Sequence, residues 1–445
     1  MSSDEIPTEI LYDIFHLLCD EPIALHDLNN ESHFHEFPWA VGQVCRRWRG
    51  AFLSHTLLWS SFALKPGNFR SAHFVEMNRR ATLYLERSGQ QPLTIDVLMP
   101  PLGTQTFPKR AWGMLLSCLK RWKKVNLKMG GGAAVVLDGL LRCREYMSSL
   151  ECLRISIPYS LGLVRYNAFQ IAPHLTELDV SGYVATWQFP WAQLTKLKLE
   201  VSWDEFDRHR DNLWGVLFQL ENIEELHIIT TFCRIRPRST LPGIIHLPGL
   251  RLLEISLVFA TMFSWFTAPL LEHLHIHGWI ESTYDRFHNG QPYEREIMSL
   301  IQRSSCHIRR LVLDNCRTEE MRIVMKALAS VEELSIIYPR RAFDVIQDVT
   351  RCVYLPKLQV LRVWTHIIHE DLVGDAVSVL SRLLEARGKE LSLPSHDFAP
   401  LEKFVVWLTS RGNFPDEVLE VMHSWPSFAQ VYINGSVLKR LTPSH

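Results

Sequence analysis

Three histidines at alternate positions, His273, His275 and His277, are the densest chemical signal in the chain. On a β-strand, residues two apart share a face, and two imidazoles at that spacing can hold a zinc ion. A further donor would come from Glu254 or from another strand. No cysteine pair accompanies them, so the expectation is three exposed imidazoles, with no metal and no cofactor. His33 and His35 repeat the spacing in a polar stretch and are read the same way. Gly130, Gly131 and Gly132 lack the following Lys-Ser/Thr of a phosphate cradle and are expected to turn the chain after a strand ending at Leu127. Arg234, Arg236 and Arg238 carry the bidentate donors that suit phosphate, in a stretch that reads first as a solvated loop. Cys45 lies among apolar residues and is expected to pack in a core. Metalloprotease and nucleophile-elbow motifs are absent. No catalytic residue is expected, and the chain reads as a non-enzyme.

The elements that would position these side chains repeat. The pattern apolar-x-x-apolar-x-apolar occurs fourteen times, from WSSFAL at 59–64 to FAQVYI at 428–433. Between the fourth-position residues Phe62 and Val431 the mean spacing is about 28 residues, inside the leucine-rich-repeat range. The spacing varies, from Leu178 to Leu197 at its shortest and from Leu361 to Phe404 at its longest. Fourth and sixth positions point one way along a strand and fill a core; third, fifth and seventh point the other way. One such strand cannot bury its inner side alone, whereas stacked copies can. Helices are expected at 204–220, 293–303, 318–328 and 370–387, with Pro173, Pro248, Pro269 and Pro356 near the strand starts. The fold class expected is α/β: a helical N-terminus, then a leucine-rich-repeat-like solenoid with a curved parallel sheet and convex helices.

Stacking in register sets one fifth-position row through Asn126, Arg154, Asp179, Lys198, His227, Glu254, His275, Val312, Ser335 and Arg362. In the third-position row Lys196 meets Glu177, and Arg310 and Glu333 also belong to it. Opposite charges in such rows partly satisfy one another. The stretch around Arg310, Arg362 and Trp364 is expected to carry less matching charge. It is the preferred substrate-binding surface, since Arg and Trp make favoured interface anchors.

The N-terminus differs in kind. IPTEILYDIFHLL opens with Pro7 in a first helical turn, then Ile10, Leu11, Ile14, Phe15 and Leu18 at helical spacing. A second helix is expected to carry Val41, Val44, Cys45, Trp48 and Phe52, and LLWSSFAL follows with Trp59 and Phe62 joining it to the first strand. At these residues, over about 4–64, the sequence resembles an F-box, in the version abundant in basidiomycete fungi. Two departures stand out: Ile6 where the family usually has Leu, and about twenty residues, Cys19 to Pro38, between the helices. The resemblance implies a module that docks on the Skp-type adaptor of SCF ubiquitin ligases, and through it on a cullin complex. It implies adaptor contacts from Ile6, Pro7, Ile10, Leu11, Ile14, Val44 and Trp48. The domains expected are 1–58, with an inserted loop at 19–38, and 59–445. The repeats would bind a protein substrate of unknown identity. The other reading is an interaction scaffold outside any ligase.

Composition sets bounds. The 445 residues exceed one compact core, and 47% hydrophobic content with 14 Trp and 22 Phe argues against disorder. A net charge of −1 gives no bulk drive onto nucleic acid. The nine scattered cysteines suit a reducing compartment, cytoplasmic or nuclear. MSSDEIPTE has no apolar core of a signal peptide. The uncharged run 255–271 is short for a membrane span; a strand followed by a buried segment is expected there, and no membrane partner.

Overall fold

The computed structural model describes residues 6–17, 23–24, 40–64, 71–98, 109–130, 133–142, 147–156, 167–182, 187–201, 210–230, 243–278, 293–337, 354–367, 371–387, 399–410, 416–433 and 436–439. Contacts divide the chain into two units: Met1–Val201 with Arg208–Leu220, and Ser202–Asp207 with Glu221–His445.

Every one of the fourteen repeats is a strand. In unit one a short strand β1 (Ile23–Ala24) leads the sheet, followed in order by β2 (Ser61–Leu64), β3 (Leu93–Leu98), β4 (Trp122–Lys128), β5 (Cys152–Ser156), β6 (Glu177–Ser181) and β7 (Lys196–Glu200), each parallel to the next. β1 falls inside the stretch expected to be loop, which is corrected at Ile23 and Ala24: they pair with Phe62 and Ala63. The rest of that stretch lies outside the described residues, with His33 and His35; so do Gly131, Gly132 and the Arg234–Arg238 segment.

Unit two begins with β8 (Glu225–Ile229). Two short strands, β9 (Ile245–His246) and β11 (Phe266–Thr267), pair with each other and, among the described residues, with no other strand. The main ladder continues through β10 (Leu252–Ser256), β12 (His273–His277), β13 (Arg310–Asp314), β14 (Glu333–Ile337), β15 (Val360–Ile367), β16 (Lys403–Ser410) and β17 (Ala429–Ile433), all parallel. A last strand, β18 (Ser436–Lys439), runs antiparallel to β17.

The repeat's chemistry dictates this stack. Most first, fourth and sixth positions are buried, as Leu250, Leu253 and Ile255 are in the repeat that forms β10, while most alternate side chains stay partly exposed. Register follows the fourth positions: Phe62, Ile95, Val125, Leu153, Leu178 and Leu197 align in unit one, and Leu226, Leu253, Leu274, Leu311, Leu334, Leu361 and Phe404 in unit two. The last repeat departs. Ala429, not Val431, stands opposite Phe404, a slip of two residues. An even slip keeps every side chain on its face, so the core tolerates it.

Among the described residues, eight strand starts are also held by the previous repeat's backbone. The second-position carbonyl accepts two successive N–H groups: Glu151 takes those of Thr176 and Glu177 at 3.0 and 3.1 Å, and Glu272 takes those of Arg309 and Arg310 at 2.9 and 3.1 Å. Thr176, Glu224, Arg251, Arg309, Glu332 and Gln359 do the same.

Helices form at Arg210–Leu217, Tyr293–Ser304, Thr318–Ala327 and Asp371–Arg387, close to the four expected. The uncharged run after β10 folds as a 3-10 segment, Leu257–Ser264, with Phe259, Met262 and Phe263 fully buried. Among the described residues no helix is long and apolar enough to cross a membrane.

Candidate functional site

The N-terminal helices lie in unit one. The first is Thr8–Leu17. The single second helix expected from the spacing is corrected: it breaks into Val41–Val44 and Arg46–Ser54. Cys45 between them is extended (φ −158°, ψ 172°), and its Sγ accepts the Trp48 N–H at 3.4 Å. Its thiol therefore caps the helix start and is not a core side chain; capping groups satisfy N–H donors that a helix leaves unpaired.

The two longer helices lock together by polar and aromatic contacts. The Arg47 guanidinium donates to the Ile6 carbonyl. Tyr12 hydroxyl and Ser54 Oγ lie 3.1 Å apart, and the Tyr12 ring stacks on His55 at 4.1 Å. Phe15 meets Trp48 edge-on at 5.6 Å. Trp59 then joins this module to the strands, as the sequence suggested. Its indole N–H donates to the Phe52 carbonyl at 3.2 Å, its ring meets Tyr84 at 4.9 Å, and the Arg87 guanidinium covers it at 4.4 Å. Phe62 packs on the same Tyr84 at 5.6 Å.

Within this frame the residues named from the sequence divide. Leu11 is 0% exposed and belongs to the module's own core. Ile10 is 47% exposed and Val44 58%, and Pro7 is also exposed. Ile6, Ile14 and Trp48 are half-buried. The Trp48 indole nitrogen is buried, without a hydrogen-bond partner among the described residues. Leu17, at 77%, and the exposed Leu53 and Leu57 add apolar surface that the sequence reading did not single out. Isolated exposed apolar residues are common; here every helical segment of one small module presents at least one.

A second candidate surface lies on the polar face of the unit-two sheet. Arg310 and Arg362 are not short of matching charge, a correction to the sequence reading. Glu333, on the strand between theirs, accepts from Arg310 at 3.1 and 3.2 Å and from Arg362 at 2.9 Å. Burial raises the Glu333 pKa, but these hydrogen bonds outweigh it and hold the carboxyl below its usual range. Trp364 does stand at a surface, stacked on Trp407 at 4.1 Å, and Trp407 stacks on Tyr432 at 5.1 Å. The three rings are register neighbours on β15, β16 and β17. Trp407 follows from the seventh-position pattern. Tyr432 does not, because the two-residue slip moves it there.

A third cluster surrounds Glu254. Its register neighbours are His227 and His275. Its Oε2 is hydrogen-bonded by His227 Nδ1 and its Oε1 by His277 Nε2, while His275 Nδ1 stands 3.3 Å from Oε1. The other His277 nitrogen meets Asp314 Oδ2 at 3.0 Å. Burial lowers the His277 pKa, but Asp314 and Glu254 overcome this and push it up to about 9. His275 falls to about 4, through burial and then the charge of His277. Burial raises Glu254, but its histidine hydrogen bonds draw it far below the usual carboxylate range. His273 shares the face and lies outside this group.

No known protein-family model matches this chain, and no curated protein matches it. Among solved structures it is similar to a Bacteroides fragilis protein determined as a structural-genomics target. That protein is 13% identical, with 73% of this chain and 68% of that chain covered, at a TM-score of 0.26.

Proposed function

We propose that the chain is a substrate-recognition adaptor of an SCF-type ubiquitin ligase. The N-terminal helices dock on a Skp-type adaptor, which links them to a cullin, and the polar sheet face of unit two takes a protein substrate. The observation that carries this reading is the apolar side chains left in solvent by the N-terminal helices: Ile10 and Val44, at positions where the F-box resemblance places adaptor contacts, and Leu17 on the same first helix as Ile10. Several exposed apolar side chains gathered on one small module suit cover by a partner protein. Arg310, Arg362, Trp364, Trp407 and Tyr432 supply planar cations and aromatic rings suited to a protein partner. The ligase role is proximity: holding a substrate near the charged conjugating enzyme raises its local concentration. No catalytic group of this chain takes part.

Co-expression of the full chain with a Skp-type adaptor tests the docking step. Recovery of a one-to-one complex is the expected result; failure of the two chains to associate at micromolar concentration leaves the scaffold reading, in which the same sheet face serves outside a ligase.

A further inference from the structure

We propose that Glu254, His275 and His277 form a binding site for a divalent transition-metal ion, zinc by preference, on the polar face of the unit-two sheet. The inference is independent of the ligase reading. The donor atoms of these three residues all lie within 4.8 Å of one another. Adjacent donors around a tetrahedral zinc stand about 3.3 Å apart, given bonds of about 2.0–2.1 Å. The His275 Nδ1 to Glu254 Oε1 separation is 3.3 Å. The two imidazoles are held with ring centres 4.2 Å apart, tilted by 31°.

The surroundings are those of a ligand set. Metal-bound histidines commonly donate their second N–H to a carboxylate, which fixes tautomer and ring orientation. His277 has that partner in Asp314 Oδ2, at 3.0 Å. The Glu254 carboxylate is oriented from its far oxygen by His227. Two nitrogens and one carboxylate oxygen favour zinc over calcium or magnesium, which prefer all-oxygen shells. On binding, the ion takes the place of the hydrogen that His277 Nε2 shares with Glu254, and that proton leaves to solvent. Three protein ligands leave a tetrahedral ion one further position, for water or for a donor atom of a bound partner. The side chains of Glu254, His275 and His277 keep 14%, 25% and 20% exposure, so an ion can reach them.

The test uses the full chain, stripped with a chelator and titrated with zinc by calorimetry, with metal content measured after desalting. Cobalt substitution reports a tetrahedral site by its visible absorption. The native chain is expected to bind one ion more per molecule than either Glu254→Gln or His275→Gln. Asp314→Asn is expected to keep the ion with about 10–100-fold weaker affinity, and His273→Gln to bind as the native chain does. Should a ligand variant fail to fold, Asp314→Asn still decides the matter. Absence of zinc binding by the native chain, or equal stoichiometry and affinity in native, His275→Gln and Asp314→Asn proteins, overturns the proposal.

Discussion

Replacing Ile10 by Glu and Val44 by Ser separates docking from folding, because the structure leaves both side chains largely in solvent. Complete burial of an aliphatic side chain is worth about 1.5–3 kcal/mol. Ile10 is 47% exposed and Val44 58%, so truncating either forfeits roughly 1 kcal/mol of stability. Glu at position 10 also sits in the first turn of Thr8–Leu17, where a negative charge suits the helix dipole. In a complex with a Skp-type adaptor the same positions would be desolvated. Loss of an interface anchor costs about 2 kcal/mol or more, roughly 30-fold in affinity for each. Leu11 gives the opposite outcome. At 0% exposure, Leu11→Ala is expected to cost about 2–5 kcal/mol of stability, a melting shift on the order of 10 °C, and to weaken binding only by unfolding the module. The assay is calorimetric titration of full-length variants with purified adaptor, beside melting curves. Native affinity in the Ile10→Glu/Val44→Ser double variant would refute the reasoning; so would a Leu11→Ala protein that melts normally yet fails to bind.

Other expectations follow from the sheet. Gly278→Ala should destabilise unit two and separate His277 from Asp314, since an added Cβ would meet the backbone of Asn315 and Cys316 at 2.4 and 2.5 Å; a lowered melting temperature checks it. Glu333→Gln should destabilise at neutral pH by up to about 1 kcal/mol, the usual ceiling for exposed pairs. Because the Glu333 pKa is lowered in the folded chain, its contribution is present above the ordinary carboxylate pKa and fades as pH falls through the folded value. Native and variant melting curves should therefore converge on acidification, and a gap that widens would refute the assignment. Trp407→Ala should remove the middle ring of a stack of three, weaken any partner bound on that face and change tryptophan fluorescence; an unchanged spectrum counts against the stack.

Much of the sheet was legible because apolar side chains recur at fixed positions within each repeat, and burial on one face forces the register. The pairs Asp179 with Lys198, Glu177 with Lys196 and Glu254 with His275 follow from that alone. The final repeat was misaligned because Val431 and Ala429 lie on the same face and both fill the core, so polarity alone does not choose between them. The Glu254 cluster was half visible: alternate histidines mark a strand face, but Asp314 becomes a partner of His277 only through the seventh-position row. The break at Cys45 left no apolar signature, since a sulfur accepting an N–H is a matter of backbone geometry. Exposure at Ile10 against burial at Leu11 was equally hidden, because neighbouring aliphatic residues on a short helix look alike until the packing against Arg46–Ser54 is known.

The paired N–H contacts on eight of the second-position carbonyls carry a consequence for how such a chain can vary. At those rungs alignment is renewed by main-chain atoms, so an error in one connection is not passed on to the next. The connection from Leu178 to Leu197 is less than half as long as that from Leu361 to Phe404, yet the strands at each end stay aligned. Lengthening or replacing a connecting segment should thus leave neighbouring rungs undisturbed, and a polar face built on those rungs can keep its layout while the segments around it diverge.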